Sequence, residues 1–215
     1  MSTLALSLRH GSLTLAAALL WLGLIYNVAE GVIAVSAGAL VGSVALLGFG
    51  LDSFIEVTAS AVLLWRLSPS AKDRTGDARE QVARRIVGAT FIALATYIVA
   101  QAAYVLATGS EPGSSRPGIA LALVSLALMP ALGIVKLWNA RRLHSHALMA
   151  EAGETLVCSY LSATLFAGLA LNAALGWWWA DIAAAAAMVP WIVKEGVEGL
   201  RADACGGDCP PEASS

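Results

Sequence analysis

Between Ser12 and Ser36 the chain holds a single charged residue, Glu30, and between Leu40 and Trp65 only two, Asp52 and Glu56. Helical runs of about 20 mainly apolar residues are what a hydrocarbon core of about 30 Å requires. A chain built from such runs is confined to helices, because in lipid the backbone must satisfy its own hydrogen bonds. Composition agrees, with 58% hydrophobic and 13% charged residues, against about 25% charged in a typical soluble domain. The fold class is therefore all-α and polytopic, with the lipid bilayer as its first partner. A net charge of −2 without a basic patch argues against nucleic acid as another. Only Arg9 and His10 precede the first apolar run, and no small-residue cleavage site follows it. That run reads as a retained helix rather than a signal peptide.

Six spans are predicted, over residues 12–36, 40–65, 86–108, 119–137, 147–176 and 180–193. The sixth is short, and "WWW" at 177–179 supplies an interfacial anchor before it. The connections alternate in charge. Arg9, Arg66, Lys72, Arg74, Arg79, Arg84, Arg85, Lys136, Arg141, Arg142, Lys194 and Arg201 fall on one side, twelve of the thirteen basic residues, and Arg116 on the other. The positive-inside rule makes the richer side cytoplasmic, with both termini inside, most simply in a cell (inner) membrane. Residues 1–11 are then a cytosolic N-terminus, 12–200 a six-helix domain, and 201–215 a disordered cytosolic tail. Cys205 and Cys209 in that tail stay reduced and imply no disulfide. With Asp208 they fall one ligand short of a structural zinc site. His144 and His146 read as solvated surface residues.

The acidic residues inside the spans carry the functional signal. A charge at the centre of a span costs roughly 2.5–3.5 kcal/mol on insertion scales. Asp52 and Glu56, one turn apart on one helical face, would also repel if both were ionised. No Lys, Arg or His lies centrally in any predicted span, so protons or a bound cation must balance them. The fifth span offers a counterpart in "AEAGETLVCSYLSA", where Glu151, Glu154 and Cys158 fall along one face. By helical rise, Cys158 reaches about the depth of Glu56. Asp52, Glu56, Glu154 and Cys158 are the expected metal ligands. Asn27, Glu30, Glu151 and Ser159 are candidates for further ligands or pathway steps, although an ordinary interfacial charge is the better reading of Glu151.

The stretch "GSVALLGFGLDSFIEVTAS" resembles the second span of the cation diffusion facilitator, or cation efflux, superfamily, and "GWWWADIAAAAAM" its aromatic external turn. The resemblance covers about residues 20–200. It implies that Asp52 is the first metal ligand of the second helix and Glu56, in place of Asp, the second. The fifth-helix His-x-x-x-Asp of zinc-type members is replaced by Glu154 and Cys158, or, one residue on, by Thr155 and Ser159. The His-rich loop of the family is reduced to His144 and His146, and its C-terminal metal-sensing domain is missing. This is the pattern of a short, divergent member.

The function expected is secondary transport: export of a divalent transition metal by proton antiport through a carboxylate and thiolate site. The thiolate favours Zn²⁺, with Mn²⁺ and Fe²⁺ as options. A non-transporting metal-binding or accessory subunit is the alternative. No enzyme motif is visible, and no permanently bound cofactor is implied. Small residues in the third and sixth spans, "GATFIALATYIVAQAA" and "ADIAAAAAM", allow close helix contacts. Together with the resemblance they point to a homodimer.

Overall fold

The computed structural model describes residues 2–67 and 76–201. Lys72 and Arg74, and the expected disordered tail with Cys205, Asp208 and Cys209, lie outside the described residues. The described residues form six helices and no strand: α1 (Ser2–Val41), α2 (Val44–Leu67), α3 (Gly76–Thr108), α4 (Arg116–Leu143), α5 (His146–Leu175) and α6 (Trp179–Arg201). Five of them, α1 to α5, contain stretches long and apolar enough to cross a membrane. The sixth holds Pro190 within the helix and carries Asp181 near its start. The protein is an all-helical, polytopic membrane protein, as its apolar runs predict.

Local chemistry sets the turns. Gly42, at φ 70°, takes the left-handed conformation that ends α1. Ser115 caps α4 by accepting from the Gly118 amide at 3.0 Å, with a proline in the first turn. His144 ends α4 in a left-handed conformation at φ 50°, its amide bonding back to Ala140 and Arg141. Ser145 then caps α5. His144, exposed as expected, thus also has a local structural role.

The helices associate as pairs, α1 with α2, α4 with α5 and α3 with α6, joined mainly through α1–α4 and α5–α6 contacts. Lipid gives no hydrophobic reason for helices to associate, so close van der Waals fit must do it. At Gly50 a Cβ atom would come within 2.8 Å of the Val35 amide nitrogen and the Ala34 Cβ, so α1 and α2 touch backbone to side. At Gly88 it would come within 2.8 Å of the Gly196 carbonyl, closing α3 on α6.

Two apolar clusters fill the interior. The larger joins Val44, Phe49, Ile98, Leu165 and Met188. The smaller, towards the α4–α5 turn, joins Ala16, Leu20, Leu63, Ala140 and Leu148. On α1 and α2 the residues between the two clusters include buried Asn27, Glu30, Asp52, Ser53, Glu56 and Ser60. A polar layer is thus sandwiched between two apolar ones, and the α1–α2 contact sets its width. Replacing Gly50 by Val should force those helices apart and lower stability by about 1–3 kcal/mol. Thermal unfolding in detergent checks this, with an unchanged midpoint as the contrary result.

Candidate metal centre

Helix α2 supplies the centre of the layer. Asp52 is 3% exposed and Glu56 9%, one turn apart on the face turned towards α1 and α5. From α1, the Asn27 side-chain amide donates to Glu56 Oε2 at 2.6 Å, fixing that carboxylate from one side. The other end of the same amide, Asn27 Oδ1, is buried and has no hydrogen-bond partner. A buried carbonyl oxygen left without a donor costs about 1–3 kcal/mol, so this one is an acceptor with its bonding capacity unused.

Helix α5 faces this group. Cys158 is 1% exposed, and its thiol is turned towards the Glu56 carboxyl, with Asp52 and Glu30 in electrostatic range. Glu154 is half-buried and acts electrostatically on both Asp52 and Glu56. The expected ligands Asp52, Glu56, Glu154 and Cys158 therefore occupy one neighbourhood. They do not close a cage: among the described residues no three His, Cys, Asp or Glu side chains converge closely enough to hold an ion.

The other candidates separate. Glu30, 1% exposed, is held by hydroxyls. Ser53 donates to its Oε2 at 3.0 Å, Ser125 donates to its Oε1, and the Tyr26 hydroxyl meets Ser125 at 2.7 Å. Ser159 bonds back to the Thr155 carbonyl at 3.3 Å rather than joining the carboxylates. Glu151 requires a correction. The sequence reading favoured an ordinary interfacial charge, and the residue is instead 7% exposed, with Oε1 2.6 Å from Lys136 Nζ.

Lys136 is the second correction. Its position near the predicted end of the fourth span suggested a cytoplasmic loop. Helix α4 instead continues to Leu143, so Lys136 lies within the bundle, 7% exposed. Charge periodicity alone could not pair residues on different helices, although Gly23 on α1 marks the space: a Cβ there would come within 3.0 Å of Lys136 Nζ. Asp181, seen in sequence only as part of a turn motif, was also missed as a structural element. It is fully buried on α6, accepting from Ser43 Oγ at 2.5 Å and the Val44 amide at 2.8 Å. It thereby caps the first turn of α2, the helix that carries Asp52 and Glu56.

Transmembrane protein 163 of Xenopus laevis is 27% identical over 137 residues, covering 64% of this chain and 48% of that protein. The chain thus spans about half the length of the curated relative it matches. The family model of the cation efflux transmembrane domain matches residues 20–203, which takes in α2 to α6 and most of α1. The chain belongs to the cation efflux family, whose members are transporters of metal cations rather than enzymes.

Proposed function

We propose that the protein exports a divalent transition metal, Zn²⁺ first among them, in exchange for protons. The observation that carries this reading is the buried neighbourhood of Asp52, Glu56 and Cys158, with the partnerless Asn27 Oδ1 on the amide that holds Glu56. Carboxylates and a thiolate neutralise a divalent ion, and the amide oxygen supplies a neutral donor. Zn²⁺ accepts such mixed oxygen and sulfur ligands in four-coordinate sites, and the sulfur disfavours Mg²⁺ and Ca²⁺. Loading closes the ligands of α2 and α5 around the ion, with Glu154 completing the set. Both termini lie in the cytosol, and two copies pair through their spans into a homodimer.

Coupling to protons follows from the same groups. A ligand binds metal only when deprotonated, so acid on the release side weakens the site and frees the ion. The sign is fixed: metal affinity falls as pH falls. In everted vesicles, acidifying the lumen should drive Zn²⁺ uptake, and collapsing the gradient should abolish it. Asp52→Asn should reduce uptake by upwards of about tenfold, and Asp52→Glu by less, because it preserves the charge. Uptake that survives Asp52→Asn contradicts the proposal. Stoichiometric Zn²⁺ binding without flux would make the chain a metal-binding accessory subunit instead.

Cys158 tests the ligand set separately. Bound Zn²⁺ should protect its thiol from a small membrane-permeant reagent, less so at acid pH, and Cys158→Ser should shift preference towards harder cations. Equal labelling with and without Zn²⁺ removes Cys158 from the site.

A further inference from the structure

Lys136 is the one buried basic side chain among the described residues, and the carboxylate site above makes no use of it. Its ammonium lies 2.6 Å from Glu151 Oε1 and 3.0 Å from Thr155 Oγ1. Ser60 donates to the same Glu151 oxygen at 3.4 Å. On the fourth side is Gly23, where a Cβ would meet Nζ at 3.0 Å. Gly23 of α1 and Glu151 and Thr155 of α5 thus meet around the ammonium of α4, and Ser60 of α2 joins them through Glu151.

The register of this group fixes its place. Ser60 follows Glu56 by one turn of α2, Gly23 precedes Asn27 by one turn of α1, and Glu151 precedes Cys158 by two turns of α5. The ion pair is therefore stacked on the carboxylate layer, about 6–10 Å along the bundle. It is displaced towards the end where α4 turns into α5, and the smaller apolar cluster with Ala140 and Leu148 lies on that side. Lys136 is also within electrostatic range of Glu56.

Stability alone gives little reason to keep such a pair. A well-packed apolar replacement of a buried ion pair is often neutral or stabilising, whereas removing one partner strands a charge. An ammonium differs from an apolar plug in one respect: a stronger cation can displace it from its carboxylate. A divalent ion attracts Glu151 with twice the charge of the ammonium, and a monovalent ion has no such advantage.

We propose that Lys136 is a tethered cation closing the route between the α4–α5 end of the bundle and the Asp52–Glu56 site, opened when a divalent ion displaces its ammonium from Glu151. The proposal rests on the transport reading. It makes Lys136 a gating and specificity-determining residue, with Glu151, Thr155 and Ser60 as its seat.

Cys158 lies beyond the gate and reports on it. In the full chain with Cys205→Ser and Cys209→Ser, sealed vesicles are treated with a membrane-impermeant thiol reagent from the side of the α4–α5 turn. Glu151→Gln should speed Cys158 labelling by about tenfold, through loss of a charged hydrogen bond that holds the gate shut. Lys136→Arg, which keeps the charge, should label at the parent rate. The paired change Lys136→Leu with Glu151→Leu should fold, label more slowly than the parent and lose Zn²⁺ flux, while detergent-solubilised protein still binds Zn²⁺. Labelling unchanged by Glu151→Gln, or parental flux through the paired apolar variant, overturns the proposal. Because labelling requires no transport, the gate is decided even if the parent protein carries no metal.

Discussion

Carboxylates buried together in a bilayer repel one another unless something positive stands among them, and the rest of this structure is arranged around that constraint. Asp52, Glu56 and Glu30 are all nearly inaccessible, and the one buried ammonium among the described residues is already engaged by Glu151. Hydroxyls suffice for Glu30, which Ser53 and Ser125 hold. Among the described residues they do not reach the α2 pair, where the Asn27 amide donates to Glu56 and the Cys158 thiol faces the same carboxyl. The polar layer is left acceptor-rich, with an unpartnered amide oxygen in it, and that imbalance is what supports the proposed cation site.

The scaffold holds this imbalance in place by close contact rather than by hydrophobic collapse, which lipid does not supply. Glycines on α1, α2, α3 and α6 bring backbones together, and apolar clusters close the layer above and below. Asp181 reaches from α6 to cap α2, so the depth of Asp52 and Glu56 is fixed by a helix contributing no ligand. Two helix pairs, α1–α2 and α4–α5, thus surround the site, and α3–α6 pack alongside.

Much of this was legible in the chain. Apolar length revealed the helices, and the one-turn spacing of Asp52 and Glu56, repeated in Glu154 and Cys158, pointed to residues that the structure brings into one neighbourhood. Such readings rest on periodicity within one helix, which sequence displays directly. Lys136 was misread because its significance depends on contacts with α1, α2 and α5, which no periodicity in α4 encodes. Glu151 was misread with it, since each looks like an interfacial charge until the other is placed. Asp181 is similar: its partners are backbone amides distant in sequence, and backbone amides leave no mark in composition. The alternation of basic residues, by contrast, is a property of whole loops, and it supports the proposed orientation without reference to any contact.

The central claim is that the Asp52–Glu56 layer binds a divalent metal in competition with protons. Calorimetric titration of Zn²⁺ into the purified, metal-free protein at neutral and acidic pH tests this most directly. The account predicts saturable binding at neutral pH, proton release on binding, weakening as pH falls, and loss in the combined Asp52→Asn and Glu56→Gln variant. Binding of equal strength at both pH values, or binding that persists in that variant, would contradict it.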